Sequence, residues 1–315
     1  MGSSLPATGN RVVVVGSLNM DLIVRVPRLP APGETVAGGD LLTAPGGKGA
    51  NQATAAQRLG GSVGLIGRVG DDAFATSLLA GLAAARVDVA DVSRAEVPTG
   101  VALIMVDAQG ENTIALAPGA NDTLSSGDVE SARERIEQAD VCVAQLEVPL
   151  DAIATAFRVA RSAGAATVLN VAPARALPEP LLAQTTVCVL NTGELTAVSG
   201  ASALAADVRE RASSLLARGV SAVVVTQGAQ DTVAVTADGA CLRVTPPRVT
   251  PVDTVGAGDA FVGCFAAFYR GLAVEALTDV LHWANAAGAL STLAQGAQSS
   301  LPTRQHLMGW LRGRP

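Results

Sequence analysis

The hydrophobic pattern opens with a continuous apolar run, Arg11-Val-Val-Val-Val-Gly16, closed by a glycine. Such a run predicts a strand buried on both faces, as in a parallel sheet. Residues 17–21 then read as a polar loop at the C-terminal end of that strand. Over 21–43 the pattern alternates and is broken by Pro27, Pro30, Pro32 and Gly38-Gly39, which predicts exposed antiparallel strands. A second such piece spans 99–116, where two apolar runs flank a turn at 109–112. These two hairpin-like pieces, far apart in sequence, can pair into one small lid.

From residue 121 onward the pattern becomes regular. An amphipathic stretch over 128–138 precedes a strand at 141–145, and a helix over 150–162 precedes a strand at 166–170. A short apolar piece near Leu181 precedes a strand at 186–190, and a helical run over 203–218 precedes a strand at 222–226. Period-two alternation over 232–245, turning at Asp238-Gly239, predicts a hairpin, and helices follow at 273–293 and 303–311. Strands alternating with helices argue an α/β fold: a mostly parallel central sheet with helices on both faces, plus the small β-sheet lid. No repeat or interdomain linker interrupts residues 1–315, so one domain with a discontinuous lid is expected.

Composition sharpens this picture in a few places. Nearly half the residues (49%) are hydrophobic but only 3% are aromatic, a mixture suited to parallel strands under Ala-rich helices. A net charge of −6 without a basic block argues against nucleic acid as a partner. Cys142, Cys188, Cys241 and Cys264 show no paired spacing, and the first, second and fourth lie in apolar runs that suit buried, inert thiols. With only two histidines, His282 and His306, a zinc site or a Ser-His-Asp triad is disfavoured. The first ten residues lack a signal-peptide pattern, and no apolar stretch reaches membrane-spanning length, so a soluble cytoplasmic protein is expected.

Two glycine-rich helix starts carry the candidate chemistry. In Val252-Asp-Thr-Val-Gly-Ala-Gly-Asp-Ala-Phe261, small residues at Gly256, Ala257 and Gly258 allow a tight turn ahead of an apolar helical run. The free N–H groups and dipole of a helix N-terminus favour an anion there. Asp259 stands beside them, suited either to general-base work on a hydroxyl or to plain acidic capping. Pro45-Gly-Gly-Lys-Gly-Ala-Asn-Gln52 is the second start; it is not a Walker A loop, because Gly49 follows Lys48. Tight packing alone would explain its glycines, but not the hydrogen-bonding groups of Lys48 and Asn51.

Four strand ends are closed by polar residues: Gln145 with Glu147, Asn170, Asn191 with Glu194, and Thr226 with Gly228. Together with Asn19 and Asp21 they outline a crevice along one sheet edge, where open α/β sheets bind ligands. Asn191 and Glu194 also have capping-box spacing, and equally could hold water around Mg²⁺. A dinucleotide-binding G-x-G-x-x-G is absent after the first strand.

The two long glycine signatures, in this order, resemble the ribokinase family of carbohydrate kinases. Gly16-Ser-Leu-Asn-Met-Asp21, Pro32-Gly-Glu-Thr35, Thr99-Gly-Val-Ala-Leu-Ile104, Gly119-Ala-Asn121, Gln145-Leu-Glu147 and Ala172-Pro-Ala174 agree with it, so the resemblance runs from about residue 12 to 302. It implies an ATP-dependent sugar kinase with Asp259 as catalytic base and Gly256, Ala257 and Gly258 as anion hole. It assigns Asn19, Asp21, Gly47, Lys48, Gly49, Asn51 and Glu147 to the sugar, with Ala102, Ile104 and Leu116 as apolar lid positions over it. Asn191, Thr226, Gly228, Gly258 and Asn285 match nucleotide-side positions, and Glu194 the Mg²⁺ and phosphate side. A monovalent cation, usually K⁺, would be held by Asp253 and Ser300 with carbonyls of Val255, Ser291, Ala294 and Gly296. Lids of the family commonly pair, which implies a homodimer. Departures are Thr192-Gly193 between Asn191 and Glu194, and Asp231 where a glycine often stands.

Within the family the full Gly-Gly-Lys-Gly-Ala-Asn-Gln-Ala form and the Asn-x-Asp after the first strand point to the 5-hydroxyl of D-ribose as acceptor. The alternatives are another sugar or a nucleoside (deoxyribose, fructose, adenosine), or a sugar-sensing protein without turnover. Scarce aromatics near Asn19 and the lid disfavour stacking of a purine acceptor.

Overall fold

The computed structural model describes residues 5–199 and 207–313. The valine run forms β1 (Arg11–Val15), whose side chains alternate between two cores: Val12 and Val14 in one, Val13 and Val15 in the other. The remaining strands are β2 (Asn19–Arg25), β3 (Leu41–Gly46), β4 (Ser62–Val69), β5 (Val92–Arg94), β6 (Gly100–Val106), β7 (Asn112–Ala117), β8 (Val141–Gln145), β9 (Ala166–Asn170), β10 (Val187–Asn191), β11 (Ala222–Gln227), β12 (Gln230–Thr236) and β13 (Cys241–Val244). Nine of them form the main sheet in the order β13-β12-β11-β10-β9-β8-β1-β4-β5. The seven strands β11-β10-β9-β8-β1-β4-β5 run parallel in that sheet, and β12 and β13 are antiparallel to their neighbours.

Helices cover both faces. Lys48–Arg58, Ala73–Ala84, Ala257–Phe268 and Val274–Ser291 bury their apolar sides on one core, and Leu150–Ser162, Glu179–Ala183 and Val208–Leu216 on the other. The chain builds outward from β1 through β4 to β5, then returns to lay β8 against the other side of β1 and continues to β11. Strand order therefore reverses between β1 and β8. Loops diverge at such a point and leave a crevice beyond the strands' C-terminal ends.

The lid is a separate four-stranded sheet, β3-β2-β6-β7. The two pieces are hairpins, β2 with β3 and β6 with β7, and parallel pairing of β2 with β6 joins them. The polar loop expected over 17–21 is shorter, because Asn19 and Asp21 already belong to β2. Asn19 pairs there with both Gly46 and Gly100.

Residues 62–94 hold a strand–helix–strand unit, β4, Ala73–Ala84 and β5, where the pattern suggested no element. Gly64 and Gly67 interrupt the apolar run of β4, and the helix buries only Ala75, Leu78 and Leu82. The amphipathic stretch over 128–138 is divided at Ala132 into Ser126–Ser131 and Arg133–Glu137. Of the helical run over 203–218, residues 203–206 lie outside the described residues, and the helix is Val208–Leu216, capped by Asp207. Cys142, Cys188 and Cys264 are buried and free, as their apolar surroundings suggested. Among the described residues no helix is long and apolar enough to cross a membrane.

Candidate active site

The first glycine turn sits at the C-terminal end of β1. Gly47 has a positive φ of 89°, and a Cβ on Gly49 would lie 2.5 Å from both Gly16 C and Ser17 N. Only glycine lets the helix Lys48–Arg58 start this close to the strand end. Glu147, just past β8, accepts from Ser17 Oγ at 2.5 Å and from the Lys48 backbone N–H at 3.2 Å through the same oxygen. A carboxylate is favoured there by the helix dipole. Asn19 is buried, and Asn121 Nδ2 donates to its Oδ1 at 2.7 Å while also bonding the Leu18 backbone at both its N–H and C=O. Asn121 thus orients Asn19, a role that its place in a matching motif did not disclose.

Asp21 lies over Gly46, where a Cβ would fall 2.3 Å from either carboxylate oxygen. Its pKa is pushed up to about 7, first by burial and then by the charges of Glu147 and Asp259. On the same lid face Ala102 pairs across from Asp21, Ile104 from Ile23, and Leu116 from Ala102. Ala102 is buried, Ile104 is half-buried and Leu116 is exposed.

At the second turn Gly256 adopts a left-handed conformation, φ 81°, and begins the helix Ala257–Phe268. A Cβ on Gly258 would meet nothing within 4 Å. Asp259, one residue on, is buried and fixed from the first turn's helix: Asn51 Nδ2 donates to its Oδ2 and Gln52 Nε2 to its Oδ1, both at 2.9 Å. Gln52 also donates to Asn170 Oδ1 at 3.0 Å and accepts from Gln145 Nε2 at 2.7 Å. The polar strand ends of β8 and β9 therefore meet behind Asp259, and Gln52 links them. Sequence alone marked Gln145 and Asn170 as crevice residues and left Gln52 as the last letter of a motif.

Lys48, Asn170, Asn191, Glu194, Thr226, Gly256, Gly258 and Asp259 line a single cleft of ≈ 240 Å³. Burial alone would lower the Lys48 ammonium, but Asp259, Glu147 and Glu194 hold it above its usual value. Glu194 is raised by burial first; the Asn191 N–H and Lys48 oppose the rise and Asp259 adds to it. Asn191 and Glu194 form the reciprocal cap that their spacing allows: Asn191 N–H to Glu194 Oε2 at 2.7 Å and Glu194 N–H to Asn191 Oδ1 at 2.8 Å. Thr192 and Gly193 fit inside this cap without disturbing it. A larger cavity of ≈ 610 Å³ lies beside Arg304–Leu311, but Leu290, Leu293, Leu301 and Trp310 make it mostly apolar, and no carboxylate lines it.

Gly228 turns between β11 and β12 with φ 61°. Asp231 is accommodated beside it: its carbonyl accepts from Gln227 Nε2 at 2.5 Å and its carboxylate from Thr245 Oγ1 at 2.7 Å. Asn285 stands apart from the cleft lining. It is buried, and its amide is spent on Thr232 Oγ1 at 2.7 Å and the Val244 carbonyl at 3.0 Å.

Of the residues assigned to a monovalent cation, Asp253, Val255 and Gly296 meet beside the second turn, while Ala294 and Ser300 line the larger cavity. Asp253 accepts from the Val255 N–H at 3.0 Å and from the Gly296 N–H at 2.9 Å, and Ala297 Cα lies 3.0 Å from where a Gly256 Cβ would be. The hydroxyls of Ser291 and Ser300 donate to the carbonyls of Gly288 and Ala297, and Ala294 is exposed in the loop between them. No group of three His, Cys, Asp or Glu side chains suited to a metal occurs among the described residues.

A buried carboxylate beside an open helix N-terminus, with an ammonium opposite, can take a proton from a hydroxyl while an anion is held at the turn. Known proteins agree with that chemistry. The profile of the pfkB family carbohydrate kinases matches residues 10–304. A ribokinase of Staphylococcus aureus (strain COL) is 38% identical over 93% of this chain and 97% of its own length. A deoxyribokinase of Salmonella typhi is 35% identical over 95% of this chain and 98% of its own. The solved structure of Arabidopsis thaliana ribokinase complexed with ribose and ATP covers 97% of this chain and 99% of its own, with a TM-score of 0.84 at 28% identity. The glycine turns, the buried Asp259 and the whole-length match lead to one conclusion: the chain belongs to the pfkB family of carbohydrate kinases.

Proposed function

We propose that this carbohydrate kinase transfers the γ-phosphoryl group of ATP to the primary 5-hydroxyl of D-ribose. The observation that carries the reading is Asp259, buried, held at both oxygens by Asn51 and Gln52, and placed one residue after the open Gly258. Asn19, Asp21, Gly47, Lys48, Gly49, Asn51 and Glu147 hold the sugar, with Ala102 and Ile104 above it. Asp259 takes the hydroxyl proton as the oxygen attacks the phosphorus in line. The N–H groups at Gly256, Ala257 and Gly258, with Lys48, stabilise charge on the transferring group.

The nucleotide lies along Asn191, Glu194, Thr226 and Gly228, and Asn285 supports that side by tying β12 and β13 to the helix Val274–Ser291. Mg²⁺ would supply neutralisation of the phosphate charge there. The oxygen-rich cleft suits an ion that keeps its waters, and Glu194 would hold it through them. Asp253 and Ser300 with the carbonyls of Val255, Ser291, Ala294 and Gly296 would supply an all-oxygen set suited to K⁺. The exposed apolar residues Leu42, Ile114 and Leu116 on one lid face support pairing of two lids in a homodimer. Three buried free thiols fit a reducing, cytoplasmic setting.

Replacing Asp259 with Asn is expected to lower kcat by roughly 10²–10⁴-fold while calorimetric sugar binding stays within a few-fold. Unchanged turnover would remove Asp259 from this role. The acceptor is tested by ADP release over D-ribose, deoxyribose, fructose and adenosine, with and without K⁺. The deoxyribokinase relative keeps deoxyribose as the second reading. Sugar binding without ADP formation would instead identify a sensor.

A further inference from the structure

The side chains behind Asp259 are ordered from one fixed point. The Val189 carbonyl oxygen can only accept, and it takes Asn170 Nδ2 at 3.1 Å. Asn170 Oδ1 must then face Gln52, which answers with its nitrogen: Gln52 Nε2 lies 3.0 Å from Asn170 Oδ1 and 2.9 Å from Asp259 Oδ1. The Gln52 oxygen is left to accept, and Gln145 Nε2 donates to it at 2.7 Å. Side-chain amides of similar shape at both ends are otherwise easily reversed; here a backbone carbonyl sets the direction of each. Gln145 Oε1 ends the chain, buried and without a partner. Turning Gln145 round would set its oxygen against the Gln52 oxygen, acceptor to acceptor, so the unsatisfied atom is the lesser cost.

Asn51 is held differently. Its Nδ2 donates to Asp259 Oδ2, but its own Oδ1 is buried with no partner, so nothing fixes its amide from behind. Asn51 can turn towards an acceptor; Gln52, engaged at both ends, cannot.

We infer that Gln52, locked by Gln145 and Asn170, is a positioning residue for phosphoryl transfer: it fixes the Asp259 carboxylate through Oδ1, so that Oδ2, whose Asn51 donor is free to leave, is the oxygen presented to the acceptor's proton. This rests on the reading of Asp259 as the base. Asn51 vacates Oδ2 as the acceptor hydroxyl arrives, and Gln52 keeps the carboxylate from turning during that exchange.

The test compares Gln52→Leu, Gln52→Glu and Gln145→Met on the acceptor that the wild-type chain phosphorylates. Both Gln52 variants are expected to lose about 10–100-fold in kcat with the acceptor KM within about threefold, the mark of misplaced chemistry rather than lost binding. Gln145→Met keeps the volume but frees the Gln52 oxygen, and loses less in the same way. Wild-type kcat in Gln52→Leu, which has no donor, overturns the proposal, as does a raised KM at unchanged kcat; in Gln52→Glu a shared proton disturbs Asp259 as a base. A second measurement needs no turnover. The Gln52 side-chain amide resonances of the ligand-free protein, identified by their absence from a Gln52 variant, are expected to move on Gln145→Met and on Asp259→Asn. Resonances that ignore both substitutions overturn the relay. A wild-type chain without turnover on any acceptor would sink the kinase reading, and the resonances would still judge the relay.

Discussion

At the first glycine turn a Cβ on Gly49 would lie 2.5 Å from the backbone of Gly16 and Ser17, whereas at the second a Cβ on Gly258 would meet nothing within 4 Å. Both turns begin a helix and both deliver a residue to the same cleft, yet their glycines answer to different neighbours. Gly49 is demanded by the protein's own backbone, because the helix Lys48–Arg58 must start against the end of β1. A Cβ on Gly258 meets nothing within 4 Å, and the proposed function gives that open space to phosphate. The contrast separates a glycine that packing requires from one that packing does not.

The largest effect is therefore expected at the first turn. Gly49→Ala forces backbone apart at the junction of β1 with the lid, a strain of about 1–3 kcal/mol or more. Lower melting temperature and poor recovery of folded protein should accompany loss of activity. A variant that melts like wild type would show that this junction can relax, and the distinction between the two turns would fall. Gly258→Ala should behave in the opposite sense. In the first helical turn Ala is favoured over Gly by up to about 1 kcal/mol, so thermal stability should hold or rise. Turnover should nevertheless fall at least about tenfold, because the methyl group occupies phosphate space. Full activity in a folded Gly258→Ala would deny the turn its anion.

Legibility in the sequence follows the same division. The strands from β8 to β11 were readable because each is a short apolar run closed by a polar end, and a strand buried on both faces has little other pattern to show. β4 and the helix after it were not, since Gly64 and Gly67 break the run and the helix buries only three residues. Glycine signatures identified both helix starts, but not which glycine packing requires; that depends on atoms distant in the chain. Asn191 and Glu194 carried two readings in the sequence, cap and nucleotide site, and the cap is formed while both still line the cleft. Gln52 could not be singled out, because its partners Gln145, Asn170 and Asp259 come from three separate elements.

The smallest effect concerns charge, and it too differs between the turns. Around the first, Asp21 and Glu147 stand close, and burial with the charges of Glu147 and Asp259 pushes the Asp21 pKa up to about 7 from 3.8. Between those values the folded ligand-free chain keeps a proton that the unfolded chain has released, so stability falls as pH rises through that window. Asp21→Asn removes the dependence: at pH 8 it should melt about 2–4 °C above wild type, and at pH 5 the two should lie closer together. The acceptor, in contrast, is better held by the ionised carboxylate, a charged hydrogen-bond acceptor for its hydroxyls. Wild-type KM for the sugar should therefore rise as pH falls from 8 to 6 while KM for ATP, which the proposed function places across the second turn, stays nearly level. In Asp21→Asn the sugar KM should be high and flat. A pH dependence that appears in the ATP KM instead would assign Asp21 to the wrong turn, and would break the division between a crowded sugar side and an open phosphate side.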